Sequence, residues 1–369
     1  ENQTESIPKV FVDNDVTSYQ IENCREAKSR IQEGIELIST NKIAGEAFRF
    51  ANDAMHDQMI YSRWAKENIK KGGKEMADSP PFAEYEQNRP PTWYIFQIAF
   101  ILLNLKSFVE PKSDDREIVD LLWFPTGGGK TEAYLGIIAF LLAMRRLETD
   151  PQRTNDGVHV IMRYTYRLLT IQQFHRAAAL MCSCEYIRQH NPAKWGKDPF
   201  RVGLFVGNDT TPNSLKTAEK NKNLDVDKEN PVQIINCPRC GKELDGKYDY
   251  KVVSFPKRMA IKCSNVNCFF GNPDNDESYL PVVFIDDDII STLPSLLIGT
   301  VDKFARLAWD AKFTALFGKV REVCQKHGWK PATAKPGKNI NDLCKHASNP
   351  SKKEKIINID YLTPPELII

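Results

Sequence analysis

At 369 residues the chain is long enough for two or three packed units, at roughly 100 to 200 residues per domain. Hydrophobic residues make up 41% and charged residues 27%, the composition of a folded globular protein, which excludes a disordered or fibrous class. The 50 basic and 48 acidic residues leave a net charge of +2, so any nucleic-acid surface must be a local patch. No run reaches the ~18 to 20 apolar residues of a membrane span, and the start Glu1-Asn2-Gln3-Thr4-Glu5 has no signal region, so the expectation is a cytosolic protein.

In chain order, Ile31, Ile35, Leu37, Ile38, Phe48, Phe50, Ala54, Met55 and Met59 recur at three and four spacing among charges. This predicts amphipathic helices and an N-terminal helical region over 1–70. Gly72-Gly73, Pro80-Pro81 and Pro90-Pro91 break periodicity and predict a linker over 71–92. A helix follows from Trp93 to Leu105. The branched and aromatic run Glu117–Phe124 predicts a strand, and after a glycine turn Glu132–Leu147 predicts a helix. Val158–Met162 and then Leu168–Arg188 repeat the order β then α, which argues for a parallel sheet with helices on both faces. Residues 207–231 are polar and predict a solvated insertion. A small cysteine-bearing hairpin unit spans Cys237–Cys268. Beyond it come a strand at Leu296–Thr300, a helix at Val301–Trp309, a basic polar insertion over 329–355 and a last core strand within Tyr361–Ile369. The start without Met and the apolar end Pro365-Glu366-Leu367-Ile368-Ile369 suggest a fragment cut at the C-terminal side.

Phe124-Pro125-Thr126-Gly127-Gly128-Gly129-Lys130-Thr131 fits the phosphate-loop pattern in its decisive part, Gly-Lys-Thr at a strand-to-helix turn. Glycines let backbone N–H groups curl inward around phosphates without Cβ clashes, and the helix that follows aims its positive end at them. Thr126 and Gly127 to Gly129 are therefore the expected nucleotide cradle. Lys130 would bridge the β and γ phosphates of ATP and Thr131 would ligate Mg²⁺. Phe124 stands where the general pattern has its first glycine, which helicase-type loops tolerate. Upstream, Gln97 occupies the place where helicases carry a glutamine that reads the adenine edge; an exposed helix residue is the plainer alternative.

Cys237-Pro238-Arg239-Cys240-Gly241 has the form of a zinc-knuckle turn, and Cys263 and Cys268 supply a second pair across 22 intervening residues. Four cysteines imply a closed, structural Zn²⁺ site, with free buried thiols as the alternative. Cys324, His327, Cys344 and His346 have irregular spacing and read more readily as exposed loop residues than as a second metal site. Cys182 and Cys184 read as packing residues. His175 reads as a surface or satisfied residue, and Asp286-Asp287-Asp288 as a solvated turn or helix cap.

The blocks LLWFPTGGGKTEAYLG (121–136), MRYTYRLLTIQQFHRAA (162–178) and LPSLLIGTVDKFARLAW (293–309) together resemble superfamily 2 helicases, most closely the large helicase subunit of the DISARM anti-phage defence system. The resemblance covers residues 93–309. It implies an α/β, RecA-like fold: a helicase lobe over 93–236, a zinc-binding module over 237–270 and the rest of the lobe over 271–369. It also implies an ATP-dependent DNA helicase or translocase in the bacterial cytoplasm. In the motif matched by 162–173, side chains hold strand phosphates, which gives Arg163, Thr165, Arg167, Thr170 and Gln172 that role; the later motif gives it to Thr300 and Lys303. Such backbone contacts give position and salt dependence without reading sequence. In the family the acidic Walker B motif follows the run matched by the chain's last residues, so the expectation is a lobe without it and without turnover of its own. DNA, a DUF1998-type subunit and a DNA methyltransferase are the implied partners. The other readings of the same residues are a non-catalytic nucleic-acid-binding module with a vestigial phosphate loop, and an RNA helicase.

Overall fold

The computed structural model describes residues 14–72, 80, 82–88, 90–125, 127–148, 156–224, 226–254, 256–275, 278–305, 307, 309–324, 327–332, 356–358 and 362–369. Its helices are α1 (Asn14–Thr40), α2 (Lys42–Lys70), α3 (Phe82–Asn88), α4 (Ile95–Val109), α5 (Lys130–Leu147), α6 (Arg167–His190), α7 (Pro192–Trp195), α8 (Leu215–Asn221), α9 (Asp286–Thr292) and α10 (Val301–Ala305). The strands are β1 (Val160–Tyr164), β2 (Val202–Phe205), β3 (Tyr250–Ser254), β4 (Lys257–Ile261), β5 (Val282–Val283), β6 (Leu296–Thr300), β7 (Val320–Cys324), β8 (Gly328–Pro331), β9 (Ile356–Asn358) and β10 (Leu367–Ile368). None of the described helices is long and apolar enough to cross a membrane. By contacts the chain divides into two units, Glu1–Phe48 with Trp93–Tyr134, and Arg49–Thr92 with Leu135–Ile369.

The first unit is helical. Asn41 separates α1 from α2, and its side-chain oxygen accepts from the N–H groups of Ile43 and Ala44 at 3.0 Å, satisfying donors that a helix start leaves open. α1 packs on α4 at close range: a Cβ on Gly34 would lie 2.1 Å from the carbonyl oxygen of Leu102, so only glycine fits there. The strand expected over Glu117–Phe124 does not form. Asp114–Glu117 is a 3-10 turn, and the stretch after it is extended without a ladder, with Val119, Leu121 and Trp123 exposed by 94%, 80% and 87%. Arg30 holds this stretch instead, donating to both carboxylate oxygens of Asp120 at 2.8 and 2.7 Å. A strand requires a neighbour to share its hydrogen bonds, and a run of branched and aromatic residues alone does not supply one.

The second unit carries a five-stranded sheet in the order β10-β1-β6-β2-β5, with every pair parallel. Val202–Phe205 and Leu296–Thr300 are buried throughout, as strands covered on both faces must be, and their sequences are correspondingly near-continuous apolar runs. Phe205, Ile289, Leu297 and Leu316 lie in the core beside them. The linker expected over 71–92 contains α3. The polar stretch 207–231 is less solvated than its composition predicts. It contains α8 and folds back on itself, Glu229 and Asn230 donating to the carbonyls of Asn208 and Thr210 at 3.1 and 3.0 Å. The helix after β6 stops at Ala305, and a 3-10 helix over Ala311–Phe317 follows. β7 pairs antiparallel with β8 and β9; residues 333–355, most of the expected basic insertion, lie outside the described residues.

Candidate phosphate loop, strand-end surface and metal centre

The glycine turn at the head of α5 is built by backbone handedness. Gly127 and Gly129 have φ of +82° and +92°, values that side chains resist. A Cβ on Gly128 would meet the Phe124 ring at 2.5 Å. Gly128 N donates to the carbonyl of Pro125 at 3.1 Å, closing the turn. Lys130 Nζ folds back to donate to the carbonyl of Phe124 and, at 3.2 Å, to that of Pro125. Thr131 sits in the first turn of α5, half-buried, while Thr126 lies outside the described residues. Gln97 is buried and occupied at both ends of its amide: its Oε1 accepts from Tyr94 N at 2.9 Å, and its Nε2 donates to the carbonyl of Gly129 at 2.7 Å. It caps α4 and tethers the loop. One N–H hydrogen and one oxygen lone pair of the amide remain uncommitted, but the residue is buried.

The residues expected to meet strand phosphates gather at the C-terminal ends of β1 and β6, the end of a parallel sheet where ligands bind. Register places Arg163 beside Gly299 and Tyr164 beside Thr300. Arg163, Thr165, Arg167 and Gln172 are exposed, and Arg167 lies 3.9 Å from Asp209. Thr170 and Lys303 are not available in the same way. Thr170 is fully buried with its hydroxyl on the carbonyl of Tyr166 at 3.0 Å. Lys303 is buried in an ion pair with Asp286 at 2.7 Å and also donates to Asn213 Oδ1 at 3.3 Å. The Thr300 hydroxyl is buried without a protein partner. Asp286-Asp287-Asp288 does open a helix, α9, but Asp286 and Asp288 are buried rather than solvated. Burial pushes the Asp288 carboxyl up to about 7, against the opposing pull of the Met259 N–H and Arg258.

The four cysteines of the second unit converge. The Sγ atoms of Cys237, Cys240, Cys263 and Cys268 all lie within 4.8 Å of one another, and all four residues are buried. Cys237 to Cys268 measures 3.9 Å and Cys240 to Cys263 3.6 Å. A tetrahedron with Zn–S bonds of ~2.3 Å has edges of about 3.8 Å, so the donor set fits zinc in number, chemistry and spacing. Hydrogen bonds from Cys237, Cys263 and Cys268 pull the Cys240 thiol far down, while burial pushes Cys237 up. Two tight turns deliver the pairs: Gly241 N donates to the carbonyl of Cys237, and Gly271 N to that of Cys268, both at 2.8 Å. The hairpin β3–β4 connects them.

Around this cluster lies a network the sequence did not announce. Arg239, between the first two cysteines, donates to both carboxylate oxygens of Asp57 on α2. Its guanidinium stacks on Tyr61 and Tyr186, 3.1 and 4.7 Å from the ring centroids. Ser183 of α6 donates to Asp57 at 2.6 Å, and Asn68 Nδ2 to the carbonyl of Cys240 at 3.0 Å. Gly241 has φ of +79°, and a Cβ there would stand 2.4 Å from the Ala65 carbonyl. Cys182 and Cys184 are buried, as packing residues should be. His175 is exposed and bonds the Gln233 carbonyl at 2.9 Å. Cys344 and His346 lie outside the described residues, as does the Cys324 side chain; His327 is described.

The chain matches no family model. It is 40% identical over 371 residues, covering 96% of its length, to the DISARM protein DrmA of Bacillus paralicheniformis. The chain spans 31% of the length of that relative, so the closeness holds for this portion.

Proposed function

We propose that the chain is the phosphate-loop-bearing part of an ATP-dependent DNA helicase or translocase that serves anti-phage defence in the bacterial cytoplasm. The observation that carries the reading is the loop itself: two left-handed glycines and a lysine at the head of an 18-residue helix, the arrangement that directs backbone N–H groups and a helix dipole at an anion. Thr126 and Gly127 to Gly129 wrap the phosphates. Lys130 would leave the Phe124 and Pro125 carbonyls to meet phosphate oxygens, and Thr131 would hold Mg²⁺, which supplies charge neutralisation when bound. Gln97, already fixed to Gly129, would relay base occupancy to the loop through that bond.

Arg163, Thr165, Arg167 and Gln172 form the strand-holding surface of this reading, Thr300 being buried like Thr170 and Lys303, and the cysteine quartet holds a structural zinc. Similarity to a protein named for DISARM supports the defence role, with a DUF1998-type subunit and a DNA methyltransferase as the companions. The test is Lys130→Ala in the full-length protein. Removing one charge from the site of phosphoryl transfer should cut strand-stimulated ATP hydrolysis by about 10² to 10³-fold. Unchanged hydrolysis would overturn the motor reading and leave a nucleic-acid-binding module. Equal stimulation by DNA and RNA strands would widen the substrate.

A further inference from the structure

A cavity of about 500 Å³ opens beside the end of β6, lined by Asn213, Asp286, Lys303, Trp309 and Phe313 together with Asp310 and Lys312. Its volume is that of a small-molecule site. Its lining includes the ion pair of Asp286 with Lys303, each side chain only 5% exposed. That bond uses one oxygen of Asp286. The other, Oδ1, is buried and has no protein partner, which is costly for a carboxylate unless a donor arrives from the cavity. At the rim Trp309 is 89% exposed, and Phe313 forms an aromatic wall, 5.2 Å from Phe205.

The charges argue against a phosphate. Lys303 is paired with Asp286, and Lys312 lies 3.6 Å from Asp310, so each lining lysine has a carboxylate beside it. What the cavity offers is a buried acceptor and flat apolar rings. We propose that it is a nucleobase pocket, taking a base with an exocyclic amino group that donates to Asp286 Oδ1 while its face stacks on Trp309. Adenine, cytosine and guanine carry such a donor. Thymine and uracil lack the amino group, and their one edge donor, N3–H, is flanked by two carbonyl oxygens that the carboxylate repels. The pocket rests on and deepens the strand-binding reading, because the cavity opens beside the C-terminal end of β6, where register puts the exposed Arg163 of β1 next to Gly299: a base unstacked from a strand held there would enter it.

Two arms separate the pocket from that reading. The full chain is titrated with cytidine, adenosine and thymidine, followed by saturation-transfer NMR, and with oligonucleotides of dC, of dT and of abasic backbone, followed by anisotropy. Cytidine and adenosine should bind at least about tenfold more tightly than thymidine. Trp309→Ala, at a position too exposed to threaten folding, should weaken cytidine about tenfold, the order expected for a lost stacking platform. The dC strand should exceed the abasic strand by a similar factor. Binding of thymidine as tight as that of cytidine, or binding of no nucleoside, overturns the pocket even if every strand binds. Cytidine binding without strand binding supports the pocket and overturns the motor reading. Cytidine binding with equal affinity for dC and abasic strands supports the pocket with a free nucleoside as its ligand.

Discussion

The cysteine cluster and the phosphate loop are both short glycine-assisted turns, yet the protein secures them in opposite ways. The cysteines are buried, 1 to 3% exposed. The residue between the first two, Arg239, is locked by a carboxylate and two rings. The loop is open: Gly127 is exposed, and a Cβ placed on it would touch nothing within 4 Å. Its lysine bonds to carbonyls of its own turn, partners that a ligand can displace. The cysteine cluster is determined by packing on every side, as a structural metal site would be; the glycine turn is determined by backbone handedness and left open at Gly127, as a site that admits and releases a ligand would be.

The largest effect expected from this contrast is metal removal. Structural Cys₄ zinc contributes on the order of 10 kcal/mol to folding, so a strong chelator or Cys240→Ser should release the ion and collapse the hairpin unit. One zinc per chain by elemental analysis, lost together with a large drop in melting temperature, is the expected result. An unchanged melting curve after chelation would break the comparison. Next comes Arg239→Ala, which strands Asp57 without its partner and costs about 3 to 5 kcal/mol. Arg239→Lys should recover only part of this, because an ammonium makes no fork and stacks poorly. Denaturant melts of the two variants rank them, and equal stability of both with the parent would show that the network is ornamental.

How much of this was legible beforehand differs between the same two regions. The convergence of the four cysteines and the helical runs that became α1, α2, α4 and α6 could be read because their information is local: cysteine spacing and three-four periodicity. Asp57 could not be matched to Arg239, which lies 182 positions away, and nothing in the amphipathic pattern of α2 marks it. The glycine turn was readable, but the strand expected before it was wrong, since Glu117–Phe124 carries the branched and aromatic residues of a strand and lacks a ladder. Lys303 read as a phosphate contact and is engaged by Asp286, because burial and pairing are decided by the sheet behind them. Asp288 read as solvated for the same reason.

That buried aspartate gives a smaller, pH-dependent handle on the hairpin unit. Asp288 Oδ2 accepts from Met259 N on β4 at 2.9 Å, and burial raises its carboxyl to about 7. A carboxyl raised on folding contributes its full stability below its ordinary range near 4, and loses it as pH rises through about 7. The parent should therefore be less stable at pH 8 than at pH 5.5 by an amount, on the order of a few kcal/mol, that Asp288→Asn removes while keeping an acceptor for Met259. Melting the pair at both pH values isolates the term. An identical pH dependence in parent and variant would show that Asp288 is charged throughout.

The smallest expected effect is on the open side of the comparison. Lys130→Ala removes two hydrogen bonds to carbonyls that solvent can satisfy, near a surface where substitutions typically change stability by no more than about 0.5 kcal/mol. Its melting temperature should match the parent's even as the nucleotide chemistry fails, because the turn is held by Gly127, Gly129 and the Gln97 tether and not by the lysine. The match should end when ATP and Mg²⁺ are added: the parent is stabilised by ligand binding in proportion to the logarithm of concentration over Kd, and the variant is not. A variant that melts well below the parent without nucleotide would mean that Lys130 is structural, and the two turns would then differ in ligand but not in design.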